Sequence, residues 1–408
     1  MSNLHPDLPP FAVVEAALHK TTAFLAREFS APSEAAPDWN EFEWDVASSV
    51  SAMQGISALL AGRLKWVGPP AWQSFLADQA HHTRVRDERF GKLLATLERE
   101  MNAAGIPILP LKGSALRDLQ VHAPGVRPMS DIDLLVSPRD VGDSIMVLRR
   151  IGYVAKYSTH RHLVLAPPDM RIPQCLGEHC DAPYKIELHT AIAEALPFTK
   201  VDITGRIRAQ TQRAGINRYP SAQALMCHLL LHAAGNMRAN ALRLMQLIDI
   251  AMLARRFGPA DWLALLDTSP PAHAWWMYPP LAMTARYLPG EIPPAALNMA
   301  YDICPRQLRR KAARHTLETV SWSNLRIAAL PGYEWSRNAL ELMRFARSRI
   351  LPQRESTNEL ADAVNHQPDL LRIPWYQQSQ ANRIVRWLVS RPPRVQTIMT
   401  LLAGQTPR

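Results

Sequence analysis

Cysteine is scarce: four thiols, Cys175, Cys180, Cys227 and Cys304, in 408 residues. So few in so long a chain exclude a disulfide scaffold and point to a reducing compartment, the cytoplasm. Long apolar runs are missing as well. No stretch reaches the roughly 18 apolar residues of a membrane span, so no transmembrane helix is expected. The opening Met-Ser-Asn-Leu-His-Pro-Asp has no basic n-region and no apolar h-region, so no signal peptide is expected. Internal repeats and low-complexity tracts are absent, which excludes a repeat array. Lysine is sparse: eight of the 46 basic residues, the rest being arginine.

What the chain has in quantity is apolar and basic residues. At 47% hydrophobic it can build sizeable cores, and 408 residues suggest two or three domains. The net charge of +10 is unevenly placed: residues 301–408 hold 17 Lys+Arg against 8 Asp+Glu, a net +9. A basic region attracts polyanions such as nucleic acid, nucleotide or anionic lipid. An Arg-rich, solvated helical surface from an arginine-preferring genome is the plainer account.

The pattern along the chain predicts an α+β protein. Residues 1–104 read as an N-terminal helical region, with helices over 12–29, 46–64 and 72–101. Residues 105–200 read as a small mixed-sheet core. Ile106-Pro-Ile-Leu-Pro-Leu111 is extended, because its prolines forbid a helix interior. Gly113-Ser114 turns it into a helix over 115–120. Ser130 to Val136 is a strand, and 138–151 a helix with Ser137 as N-cap and Gly152 as stop. His162–Ala166 and Tyr184–Thr190 are further strands, separated by a loop over 167–183. Residues 201–408 read as a larger helical region, basic from about residue 301. Its helices fall over 221–253, broken at Gly235, and over 260–266, 280–287, 305–319, 337–349 and 381–389.

Chemistry concentrates in Met129-Ser-Asp-Ile-Asp-Leu-Leu-Val136. Asp131 and Asp133 are two apart on a strand and therefore share a face, while Ile132 points into the core. Two like charges so close are costly unless a cation lies between them. Mg²⁺ suits such a site, since it takes a few carboxylates plus substrate phosphates; Mn²⁺ is the alternative. Glu187, between Ile186 and Leu188, is the candidate third carboxylate, as a metal ligand or as the base for an attacking hydroxyl. His189 shares its face and is a candidate substrate contact. Upstream, the glycine of Gly113-Ser114 lets backbone approach a phosphate at a helix N-terminus. Lys112 and Arg127 are candidate phosphate partners, with Ser130 beside them.

These segments resemble the nucleotidyltransferase superfamily of DNA polymerase beta, the CCA-adding enzymes and the aminoglycoside nucleotidyltransferases. More narrowly, Leu-Lys-Gly-Ser-Ala-Leu, Pro-Gly-Val-Arg-Pro-Met-Ser-Asp-Ile-Asp-Leu-Leu-Val and Ile-Glu-Leu-His resemble a bacterial family of uncharacterised nucleotidyltransferases. Those motifs span Leu111 to Thr190. Looser likeness extends to Leu225–His232 and Leu247–Ala251, which implies that His232 and Asp249 face the cleft. That family often has a second His followed by Trp, where this chain reads Ala-Ala-Gly-Asn236. The resemblance implies a mixed-sheet transferase in which Gly113 and Ser114 hold a nucleoside triphosphate, by default ATP. It implies further that Asp131 and Asp133 bind Mg²⁺ and that Glu187 completes the triad. An acceptor hydroxyl would attack the α-phosphorus and pyrophosphate would leave.

The acceptor is open: a small molecule, a peptide or protein side chain, or RNA. Two other functions fit the same residues: a catalytically degenerate nucleotide-binding scaffold, and a transferase acting on the 3′ end of tRNA. Three further signals have plainer accounts. His228 and His232 have zinc-like spacing on an apolar helix without His-Glu-x-x-His, so packing is favoured. Cys175-Leu-Gly-Glu-His179-Cys180 has no second cysteine pair to complete a zinc site. Trp375, Tyr376 and Trp387, with Arg383, Arg386, Arg391 and Arg394, suit RNA stacking or peripheral contact with an anionic membrane, but ordinary packing is favoured.

Overall fold

The structure is a computed structural model. It describes residues 7–159, 162–171, 173, 175–197, 199–266, 274–327, 332–350, 379, 382, 385 and 393–405. The helix expected over 381–389 lies almost wholly outside them, as do Trp375, Tyr376, Trp387, Arg383, Arg386 and Arg391.

The N-terminal helices are α1 (Phe11–Arg27), α2 (Glu41–Met53), α3 (Ser57–Ala61) and α4 (Pro70–Ala103). Asn40 and Glu43 start α2 by a reciprocal capping box, each side chain accepting from the other's backbone N–H, at 3.0 and 3.1 Å. The single helix expected over 46–64 is interrupted at Gly55, whose φ of 70° no helix tolerates. Proline at the first position begins α4, where its missing N–H has no partner to lose.

A six-stranded mixed sheet follows, in the order β3-β4-β5-β2-β1-β8. Its strands are β1 (Pro107–Pro110), β2 (Asp131–Leu135), β3 (Val154–Ser158), β4 (His162–Ala166), β5 (Lys185–His189) and β8 (Gly215–Ile216). A separate hairpin pairs β6 (Ala193–Leu196) with β7 (Thr199–Asp202). Strand β2 runs parallel to β5 and antiparallel to β1. Between β1 and β2 lies the short helix α5 (Gly113–Asp118), and after β2 comes α6 (Val141–Arg150). Ser137 makes no capping hydrogen bond, whereas Gly152 ends α6 with φ 93°. Four strands escape the sequence reading: β3, β6, β7 and β8.

Beyond α7 (Thr204–Ile207) come α8 (Ala222–Arg238), α9 (Leu244–Ala254), α10 (Pro259–Leu266) and α11 (Tyr278–Tyr287). They are followed by α12 (Pro294–Ile303), α13 (Arg306–Ala312), α14 (Leu317–Val320), α15 (Ala339–Ile350) and a helix over Val395–Gln405. Gly235 does not break α8, contrary to expectation. The turn comes later, at Asn240, which takes φ 54°. Nor is 305–319 one helix, since residues 313–316 separate α13 from α14.

Two apolar clusters organise the packing. One lies under the sheet, where Ile132, Leu134, Ile186 and Leu188 meet Phe90 and Leu97 of α4 and Val147 of α6. The other is helical and joins both ends of the chain: Leu18 and Val50 share it with Leu225, Leu247 and Leu401. Helix α4 contributes to both, through Phe90 and Leu97 on one side and Trp72 and Phe75 on the other. Among the described residues no helix is long and apolar enough to cross a membrane.

Candidate active site

Period-two alternation divides β2. Ile132 and Leu134 are fully buried under the sheet, so Asp131 and Asp133 emerge on the opposite face. The register then brings the rest together. Asp133 pairs across with Glu187, and Leu135 with His189. On the next strand His162 pairs with His189. One face of three adjacent strands therefore carries Asp131, Asp133, Glu187, His189 and His162.

Beside that face is a cleft of about 1000 Å³. Every expected site residue except Asp249 lines it: Lys112, Gly113, Ser114, Arg127, Ser130, Asp131, Asp133, Glu187, His189 and His232. The expectation that Asp249 faces the cleft is corrected. It lies buried behind the wall, where it accepts from Arg127 Nε at 2.9 Å and Nη2 at 2.7 Å, and meets His122 Nε2 at 2.8 Å. A short acid on the inward side of α9 cannot reach the opening, but it can hold a residue that does.

Three of the expected phosphate-site residues, Lys112, Gly113 and Ser114, are engaged within the protein. Lys112 precedes α5 with φ 49°, an uncommon conformation for a side-chain-bearing residue, and its Nζ lies 3.0 Å from Asp133 Oδ1. The space beside Gly113 is taken by protein: a Cβ there would lie 2.5 Å from Arg127 Nη1. The glycine therefore admits Arg127 itself. The Ser114 N–H is also committed, to the Leu111 carbonyl at 3.1 Å.

The two aspartates differ electrically. Burial raises the Asp131 carboxyl, and Asp133 and Glu187 add to it, moving it from 3.8 to about 6. Burial would raise Asp133 too. There the Lys112 ammonium and a 2.9 Å hydrogen bond from His189 Nε2 outweigh it and hold the carboxyl well below its usual range. His189 is in turn raised: burial opposes its charge, but Asp133 and Glu187 more than compensate. A face that crowds acids until one resists ionising is suited to an added cation.

Two cleft residues, His162 and Arg243, are not site candidates from sequence. His162 was placed on a strand, but its partner His189 is known only from the sheet register. Arg243, on the loop between α8 and α9, is exposed to the cleft, with Asp131 and Glu178 among the charges acting on it. On α8, His228 is buried, 2.6 Å from the Tyr219 hydroxyl, and His232 meets Asn236 at 3.2 Å. Arg394 packs over Trp322, 4.1 Å from the ring centre, and donates to the Ala239 carbonyl at 3.0 Å, near the end of α8.

The mixed sheet, its acidic face and the cleft are the features of the nucleotidyltransferase class. A family model described as "Uncharacterised nucleotidyltransferase" matches residues 40–277, more than half of the chain, and the chain belongs to that family. The match takes in the sheet, the acidic face and helix α9 with Asp249. No curated protein and no solved structure matches the chain significantly.

Proposed function

We propose that the protein transfers a nucleoside monophosphate from a nucleoside triphosphate, by default ATP, to a hydroxyl acceptor, and releases pyrophosphate. The observation that carries this reading is the register of β2 against β5, which sets Asp133 opposite Glu187 with Asp131 on the same face of the cleft. Family membership supports it.

In this reading Asp131, Asp133 and Glu187 would hold Mg²⁺. When bound, the cation supplies charge neutralisation at the triphosphate. Arg127, held from behind by Asp249, orients the phosphates. The acceptor oxygen attacks the α-phosphorus in line. Its proton passes to solvent as the bond between the α-phosphorus and the bridging oxygen breaks and pyrophosphate leaves. Lys112 neutralises Asp133 before substrate arrives. Four free thiols suit a reducing cytoplasm.

The test uses purified protein, labelled nucleotides, Mg²⁺ and a host lysate as the source of acceptor. Wild type is expected to label a discrete species and to release pyrophosphate, while Asp131→Asn and Asp133→Asn do neither and remain folded. Equal turnover in all three proteins removes the reading. Nucleotide binding without pyrophosphate release favours a scaffold.

A further inference from the structure

We propose that His162, Glu187 and His189 form a nitrogen-containing cation position that takes a first-row transition-metal ion, of the Zn²⁺ or Co²⁺ type, in preference to Mg²⁺. This deepens the reading above and rests on it for the role of the bound cation. One ligand atom from each of the three residues lies within 4.8 Å of the others. Glu187 Oε2 is 3.5 Å from His162 Nε2 and 3.7 Å from His189 Nε2. Those separations are long for hydrogen bonds. They are close to the spacing of roughly 3.4 Å between ligands that sit about 2.1 Å from a common tetrahedral centre.

The strands hold the group in place. His162 and His189 are cross-strand partners, and their rings lie 5.0 Å apart. Glu187 is two residues from His189 on the same face. The ligands thus stand on paired strands rather than on loops, which favours preorganisation. His189 Nε2 also meets Asp133 Oδ1 at 2.9 Å, so the position borders the aspartate pair, and a metal ion bound there takes the place of the Nε2 proton.

Ligand chemistry decides the ion. Mg²⁺ prefers oxygen and keeps its waters, whereas two imidazoles and a carboxylate are a set that Zn²⁺ takes readily. Affinity for nitrogen ligands rises along the first row, so Co²⁺ and Zn²⁺ should outcompete Mg²⁺ here.

The experiment titrates the full-length protein with Co²⁺, read by visible absorption, with Zn²⁺ as competitor. A Cys180→Ser background removes the separate surface group of His179, Cys180 and Asp181, which is also geometrically able to hold a metal. With excess Mg²⁺ present to fill the aspartate pair, one Co²⁺ equivalent is expected, displaced by Zn²⁺. His162→Ala should weaken it by at least about tenfold, and His162→Gln serves if the alanine variant does not fold. Failure of the Cys180→Ser protein to bind Co²⁺, or equal affinity in the His162 variants, overturns the proposal. Asp131-dependent pyrophosphate release alongside that failure leaves the transfer reading standing. Co²⁺ binding that needs His162, without any transfer, does the reverse.

Discussion

Asp249 grips Arg127 with both carboxylate oxygens, Oδ1 on Nε at 2.9 Å and Oδ2 on Nη2 at 2.7 Å. The pair joins helix α9 to the loop before β2, so the helical half of the chain orients a cation that faces the cleft. Burial disfavours the charge on Asp249, but Arg127 and His122 outweigh it and hold its carboxyl below the usual range. A bidentate pair fixes direction as well as charge.

Removing one member should therefore be severe. Asp249→Ala leaves a guanidinium without its counterion, and a cost of about 3–5 kcal/mol is expected in urea unfolding. Asp249→Leu combined with Arg127→Met should cost clearly less than Asp249→Ala alone, because no charge is stranded. A double variant that loses as much stability as Asp249→Ala would show that the pair is not coupled.

Gly113→Ala tests the same arrangement from the other side. The added Cβ would lie 2.5 Å from Arg127 Nη1, and Asp249 prevents the guanidinium from simply swinging away. A displacement of about 1 Å in a positioning group can lower turnover by roughly a hundredfold. Nucleotide-dependent pyrophosphate release should fall by about ten- to a hundredfold, with far less effect on melting temperature than Asp249→Ala has. Unchanged kcat/KM would mean that Arg127 has no part in orienting the phosphates.

The two levels of the molecule were unequally legible. Alternation alone put Asp131 and Asp133 on one face and Ile132 beneath the sheet, because period two is a local property of a strand. The same applies to Glu187 between Ile186 and Leu188. His162 and Arg243 were missed because each owes its place to residues far off in sequence. Lys112 and Gly113 were legible as residues near the site but not in their contacts. Their partners, Asp133 and Arg127, are set by tertiary packing. Strand β8 is two residues long and has no pattern to detect.

Gly235 shows how such a contact reverses a propensity argument. In an ordinary helix, alanine in place of glycine stabilises by about 1 kcal/mol. Here a Cβ would lie 2.7 Å from the Glu194 carboxyl carbon, on β6. Gly235→Ala should thus destabilise, as read by thermal melting. Adding Glu194→Ala should remove the clash and turn the effect of the alanine favourable. A stabilised single variant would mean that Glu194 moves aside at no cost.

The last prediction concerns pH. In the folded chain Asp131 holds its proton up to about 6, against an ordinary 3.8. Between those values the folded state binds more protons than the unfolded state at this residue. Stability from Asp131 therefore falls as pH rises through that window, the opposite of the usual carboxylate. Asp131→Asn removes the titration and serves as the reference. In metal-free buffer, wild type should lose melting temperature relative to Asp131→Asn between about pH 4 and about pH 6, and the gap should then level off. Mg²⁺ favours the charged carboxylate, so adding it should raise the wild-type curve above about pH 6 and do little below about pH 4. Parallel wild-type and Asp131→Asn curves across the range, with or without Mg²⁺, would show that Asp131 is not the acid that the crowding of Asp133 and Glu187 makes it.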